Sequence, residues 1–81
     1  MSDYPPVSGR DVVKVLRSYG YQPVGRTGSH VRLREQQDDG TVRLVSVPMH
    51  DELAVGTLQN IADQCGAQDF DAFREWIETN R

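Results

Sequence analysis

Residues 28–34 read Gly-Ser-His-Val-Arg-Leu-Arg, a turn pair followed by strict alternation of polar and apolar side chains. A period of two is typical of a β-strand that buries one face, because successive side chains point to opposite sides of the sheet. His30, Arg32 and Arg34 must therefore share one side, while the two apolar side chains between them face a core. The segment predicts a strand of a sheet that leaves its other face open.

Turn signals on both sides of this strand predict two further strands. Residues 21–27 precede it, and Pro23 within them cannot donate to a hydrogen-bond ladder, so we expect an edge strand with an irregular first part. Residues 38–40, Asp-Asp-Gly, have turn chemistry, and the β-branched run 41–47 ends at Pro48. The three strands together predict an antiparallel meander.

Helices are predicted before and after the meander. Residues 8–11 fit a capping box, and apolar residues then recur at helical spacing over about 9–19. A second helix opens near Gly56 and ends at Gly66, and a short third helix starts near Asp69, which we expect to be partly detachable. The fold class is α+β, in the order α-β-β-β-α with an additional short C-terminal helix, and the helices cover one face of the sheet.

Length and composition favour a single small globular domain over residues 1–81, with 37% hydrophobic and 26% charged residues. No apolar run is long enough to span a membrane and the first residues lack a signal-peptide pattern, so we expect a cytoplasmic protein without a membrane partner. A lone Cys65 and two histidines cannot make a four-ligand Cys/His zinc site. We therefore expect no metal and no cofactor.

Charge is distributed unevenly along the chain. The net charge is -3, which argues against affinity for nucleic acid when taken as an average. Residues 1–34, however, carry six basic and two acidic residues, a charge of +4, whereas residues 35–81 carry three basic and ten acidic residues, a charge of -7. The sequence predicts a molecule with a basic side and an acidic side.

His30 with its neighbouring arginines is the strongest candidate for chemistry. An imidazole can take a proton from an RNA 2′-hydroxyl near neutral pH, and guanidinium groups can hold the adjacent phosphate. Arg26 lies just across the turn, and Arg43 of the next strand could join Arg32 and Arg34. From the residues alone, an ordinary solvated strand face is the commoner interpretation, because the spacing is not specific.

A family resemblance changes this balance. The chain has four motifs in order: Gly28-Ser29-His30 before a strand, Val45-Ser46-Val47-Pro48-Met49-His50, Gly56-Thr57-Leu58-Gln59-Asn60-Ile61, and Gln64-Cys65-Gly66. With these motifs, the sequence over about residues 8–78 resembles the HicA family of toxin mRNA interferases. The resemblance implies a domain similar to the double-stranded-RNA-binding fold. It also implies the toxin component of a type II toxin-antitoxin system, a metal-independent endoribonuclease that cleaves mRNA, makes no DNA contact by itself and is neutralised by a HicB-like antitoxin.

The resemblance also assigns a catalytic residue. The family's catalytic histidine maps onto His30. The candidate RNA contacts Arg26, Ser29, Arg32 and Arg34 come from their places on or beside the strand that carries His30, not from the family. Members often carry a second histidine directly after the first, where this chain has Val31; strand alternation places Val31 toward the core. His50 is a candidate general acid if the loop after the third strand folds back toward His30, and a structural hydrogen bond in that loop is its other possible role.

Two other functions remain open at this point. One is a non-catalytic RNA-binding or protein-interaction module of the same fold, which the acidic net charge and the missing second histidine favour. The other is a metal-dependent hydrolase, which is poorly supported because no His/Asp/Glu cluster has ligand spacing. If the enzyme interpretation holds, an antitoxin must cover the His30 face, and its acidic groups would complement the arginines there.

Overall fold

A computed structural model describes residues 5–81, in which three helices and three strands follow one another. They are α1 (Gly9–Ser18), β1 (Gln22–Thr27), β2 (His30–Gln36), β3 (Val42–Pro48), α2 (Val55–Gln64) and α3 (Phe70–Asn80). The strands form one antiparallel sheet in the order β1-β2-β3. The element order and the sheet confirm the predicted α+β fold with its additional C-terminal helix.

The register of the sheet determines which side chains share a face. Leu33 of β2 lies opposite Val45 of β3, and all of the β2–β3 pairs follow in step from His30 to Gln36. β1 is an edge strand, and its pairing with β2 shifts between Pro23 and Gly25. This irregularity is the one that Pro23 predicts, since proline has no backbone N–H to donate.

A two-residue turn joins β1 to β2, because Thr27 pairs directly with His30. Gly28 has a φ of 58° and Ser29 does not take a positive φ. A positive φ at the first central position only is typical of a type II′ turn, in which glycine is favoured at that place. The turn therefore makes His30 the first residue of β2.

The start of α1 is closed by the predicted capping box. Ser8 Oγ accepts from the backbone N–H of Asp11 at 3.0 Å, and Asp11 Oδ2 accepts from the N–H of Ser8 at 3.2 Å. The same carboxylate binds Arg81 Nη1 at 2.9 Å, which ties α1 to the last residue of the chain. Burial raises the pKa of Asp11, but the Ser8 hydrogen bonds and the Arg81 guanidinium outweigh it and hold that pKa below its usual value.

The core lies between one face of the sheet and the three helices. Its largest fully buried side chains are Val7, Val12, Val15, Leu16, Leu33, Val45, Val47, Leu58, Ile61 and Ile77. Because the helices are amphipathic and the strands alternate, these residues leave the opposite sheet face exposed, as predicted.

Helix α3 is a full part of this core. Ile77 is 1% exposed and Phe73 is also buried. The Trp76 ring meets that of Tyr19, which follows α1, edge-on with centroids 4.8 Å apart. The apolar stripe of α3 packs against α1 and α2. That this helix can partly detach stays a prediction. Within residues 5–81, none of the helices combines the length and the apolar character that crossing a membrane requires.

Candidate active-site groove

Strand β2 presents three basic or titratable side chains on the open face of the sheet. His30, Arg32 and Arg34 are all exposed, and they alternate with the half-buried Val31 and the fully buried Leu33. Successive members of this row are separated by two residues, which is about 6.6 Å along a strand. The structure thus brings these three predicted site residues together, and we call the two arginines among them the arginine row.

The strand positions around this row carry no carboxylate. His30 pairs with Thr27 and Pro48, Arg32 with Gly25 and Ser46, and Arg34 with Gln22 and Leu44. Paired residues of an antiparallel sheet point to the same side, so the two arginines have neutral neighbours on both flanking strands. The open face is locally positive although the chain as a whole carries a charge of -3.

An open groove of about 350 Å³ lies beside His30, between β3 and α2. Its lining residues are His30, Ser46, Pro48, His50, Thr57, Asn60, Ile61 and Gln64. Gln64 Oε1 accepts from the backbone N–H of Ser46 at 2.9 Å, so the last turn of α2 is fixed to β3. His30 therefore borders a concave space that can receive a substrate, rather than standing on a flat surface.

The loop after β3 folds back toward His30. The N–H of Met49 donates to the carbonyl of Ser29 at 2.6 Å, and the carbonyl of His50 accepts from the N–H of Gly9 at 2.9 Å. These bonds hold the loop between the β1–β2 turn and the start of α1. The fold-back that would let His50 take part is present, because His30 and His50 line the same groove.

Sequence reasoning did not select the α2 side chains of the groove. Thr57, Asn60 and Gln64 stand at i, i+3 and i+7 and so share one side of the helix, next to the buried Leu58 and Ile61. This polar row was visible in the helical periodicity. The position of this polar row against the groove could not be predicted, because helical periodicity does not show which strand a helix packs on.

The other predicted site residues lie elsewhere. Arg26 is opposite Val31, on the side of the sheet that carries the helices, and its Nε donates to the Gly28 carbonyl at 3.1 Å across the turn. Arg43 does not join the arginine row, because it points to the helix side and donates to the carbonyl of Cys65. The RNA-binding roles of Arg26 and of the exposed turn residue Ser29 remain predictions.

The two imidazoles of the groove have no side-chain partners among the described residues. Within residues 5–81, neither His30 nor His50 forms a side-chain hydrogen bond or ion pair with another protein group. Over the same residues, no three His, Cys, Asp or Glu side chains come together in a way that could hold a metal ion.

Comparison with protein families matches residues 9–67, more than half of the chain, to the HicA toxin of bacterial toxin-antitoxin systems. The chain belongs to the HicA toxin family. Comparison with curated proteins gave no match. The HicA match runs from the first residue of α1 to just beyond α2, so it includes every element that forms the groove, whereas α3 lies outside it.

The departure of this HicA chain at Val31 does not affect the groove. Val31 is half-buried, packs against the core and lies opposite the buried Val47. Its side chain points away from His30, as strand alternation predicts. A histidine at this position would stand on the core side and could not share the space that His30 borders.

Proposed function

We propose that this HicA-family toxin is an endoribonuclease that cleaves mRNA without a metal ion, with His30 as the general base. The observation that carries the proposal is the exposed imidazole at the edge of an open groove, in a row with Arg32 and Arg34 on a face whose strand positions lack carboxylates. General acid-base catalysis of this kind contributes about 10² to 10⁴ in rate.

The reaction needs only groups that RNA and the groove supply. His30 takes the proton of a ribose 2′-hydroxyl, and the 2′-oxygen attacks the adjacent phosphorus. The bond from phosphorus to the 5′-oxygen of the next nucleotide then breaks, which leaves a 2′,3′-cyclic phosphate. The departing 5′-oxygen takes up one proton, so protons balance over the reaction.

His50 is the second proton-carrying group of the groove. It lines the same space as His30 and is held there by the backbone bond from Gly9. In this proposal its protonated imidazole gives the proton to the departing 5′-oxygen. Its loss is expected to slow cleavage less than the loss of His30, because water can also supply that proton.

Arg32 and Arg34 hold the RNA backbone. A guanidinium binds phosphate oxygens through two parallel N–H groups and stabilises the negative charge that grows on them during the attack. Ser29 lies in the turn directly before His30 and is exposed, so its hydroxyl can meet the same strand of RNA. Arg26 lies on the helix side of the sheet, so its proposed part in binding is indirect, through the bond by which it supports this turn at Gly28.

The test uses purified protein, EDTA and two RNAs of the same sequence, one of them methylated at every 2′-oxygen. We expect cleavage of the unmodified RNA in EDTA, with 2′,3′-cyclic phosphate ends, and no cleavage of the methylated RNA. Cleavage of both RNAs, or cleavage that stops with EDTA, would overturn the proposed mechanism. Salt-dependent RNA binding without any cleavage would instead indicate the non-catalytic RNA-binding module.

The partner of this toxin is proposed to be a HicB-like antitoxin that covers the His30 face with acidic groups. The arginine row supports this, because buried or rim charges of opposite sign steer and orient partners. Expression should arrest growth, and co-expression of the antitoxin gene next to this one should relieve the arrest. Arg32→Glu with Arg34→Glu should weaken the complex, and an undiminished complex would contradict this docking face.

A further inference from the structure

A second basic surface lies on α1, outside the groove. Arg10, Lys14 and Arg17 stand at i, i+4 and i+7, so they form one row along the helix, and all three are exposed. Together with Val13 and Ser18 they line a shallow open depression of about 480 Å³. We call these three cations the α1 row.

Acidic residues of the described part of the chain do not pair with the α1 row. Asp11 is the acidic residue of the first turn, and its carboxylate is bound to Arg81. Among residues 5–81, no carboxylate forms an ion pair with Arg10, Lys14 or Arg17. Arg17 lies in the last turn, where a cation favours the helix dipole. Arg10 and Lys14 are like charges at i and i+4, which destabilise a helix, so helix stability does not account for these two.

The α1 row is continuous with the His30 groove. Arg10 also lines a small cleft that it shares with Ser8, Met49, His50 and Asp51, and His50 in turn lines the groove. The path therefore runs from Arg17 through Lys14 and Arg10 to His50. One carboxylate, that of the exposed Asp51, lies beside it.

We infer that the α1 row binds the sugar-phosphate backbone of the same RNA strand beyond the cleaved bond, and so extends the groove into a longer RNA track. The row covers about 10 Å of helix, from a rise of about 1.5 Å per residue over seven residues. Three cations in a line suit a polyanion better than a compact ligand, and phosphate contacts of this kind position an RNA without reading its bases. The inference rests on the proposed ribonuclease function.

Cleavage of two substrates tests the inference: a dinucleotide, which can occupy only the groove, and long single-stranded RNA. The variant Arg10→Gln with Lys14→Gln and Arg17→Gln should lower kcat/KM for long RNA and leave the dinucleotide unaffected. Three lost phosphate contacts, at about 0.7 each, should reduce the slope of log affinity against log salt by about 2. Between 50 and 200 mM salt, the RNA affinity of the wild type should therefore fall by about 16-fold more than that of the variant.

The matched control keeps the charge of the row. Arg10→Lys with Lys14→Arg and Arg17→Lys should retain the wild-type preference for long RNA and its salt slope. Asp51→Asn should tighten the binding of long RNA, because it removes the carboxylate beside the path. The α1 row would be excluded as an RNA track if the glutamine variant kept the wild-type salt slope, or if it lost only the binding of an acidic antitoxin.

Failure of the inference can be told from failure of the ribonuclease function. The salt slope of RNA binding is measured on the background of His30→Ala, which does not need to cleave. If wild-type protein cleaves no RNA but the glutamine variant still loses slope, the track stands and the catalytic proposal falls. If wild-type protein cleaves long RNA and the glutamine variant does so equally well, the track falls alone.

Discussion

Gly9 is the residue through which α1 fixes the end of β3 and the His50 loop. A Cβ at this position would collide with the carbonyl oxygen of Pro48 and lie 2.9 Å from the Cα of Met49. Both contacts are backbone, so they cannot move aside as the end of a side chain could. The close approach also allows the Gly9 N–H to reach the His50 carbonyl.

Gly9→Ala is therefore predicted to destabilise the protein by about 1–3 kcal/mol, the usual cost of overpacking, and to slow RNA cleavage by displacing His50. Urea unfolding measures the first effect. The control is Gly56→Ala in the first turn of α2, where a Cβ meets nothing within 4 Å and alanine is expected to stabilise by up to about 1 kcal/mol. Equal effects of the two substitutions would contradict this role of Gly9.

Asp11 makes stability depend on acid pH. Its pKa in the folded protein lies below the usual value of about 3.9, because hydrogen bonds from Ser8 and the Arg81 guanidinium outweigh its burial. A carboxyl group of this kind stabilises the fold fully above its unfolded pKa, and the contribution disappears as the pH falls through the lower, folded pKa.

The free energy of unfolding should thus fall below about pH 4, and this fall should be smaller in Asp11→Asn. Arg81→Gln should reduce the fall as well, since it removes the guanidinium that favours the charged carboxylate. Urea midpoints between neutral pH and about pH 3 give the comparison. An Asp11→Asn variant with the full wild-type fall would show that other carboxyl groups are responsible.

At the scale of elements, α3 is predicted to be required for the stability of the whole domain. Ile77 is 1% exposed within the core, so Ile77→Ala should lower the free energy of unfolding by about 2–5 kcal/mol. Thr79→Ala, at an exposed position of the same helix, should change it by less than about 0.5 kcal/mol. Thermal or urea unfolding that showed equal, small effects would mean that α3 is separable from the core.

The strands show what could be read from the sequence. Alternation alone placed His30, Arg32 and Arg34 on the open face, because a single buried face leaves no other choice. The position of Arg26 could also be predicted from the sequence, because a two-residue turn pairs Thr27 with His30 and therefore Arg26 with Val31. Arg43 lies two residues before the buried Val45 and therefore faces the same side of the sheet. This could not be predicted from the sequence, because β3 has apolar residues on both faces and so lacks a clear alternation.

The groove could not be predicted in the same way. Helical periodicity identifies the polar row of α2, but the contact between Gln64 and Ser46 depends on how α2 packs on the sheet. The approach of His50 to His30 depends on backbone bonds between the loop and two segments distant in the chain, at Gly9 and Ser29. Such long-range contacts leave no local pattern in the sequence, and so the second histidine stayed ambiguous.

At the scale of the whole molecule, we expect RNA affinity to depend more on where the charges lie than on the net charge. The net charge is -3, yet the arginine row and the α1 row are basic, and exposed acids such as Asp71 and Glu75 lie on α3 outside the groove. Exposed charges farther apart than about 8 Å are largely screened at physiological salt. We therefore expect an RNA at the groove to respond mainly to the cations that border it, since Asp71 and Glu75 are not among the lining residues.

Two variants distinguish the effect of local charge on RNA affinity from the effect of net charge. Asp71→Asn with Glu75→Gln removes two negative charges and changes the net charge from -3 to -1, yet RNA affinity should change little. Arg32→Gln makes the net charge -4 and should weaken RNA binding clearly, through a lost charge-assisted phosphate contact. RNA affinity that followed net charge across both variants, measured in physiological salt, would contradict a local binding face.

The cleavage rate of one RNA by wild-type protein and by His30→Ala tests the central claim most directly. Gln36→Ala, on the same face at the far end of β2, serves as the matched control. The proposed mechanism predicts that His30→Ala cleaves about 10² to 10⁴ times more slowly while Gln36→Ala cleaves as the wild type does. Equal rates for wild type and a correctly folded His30→Ala would contradict it.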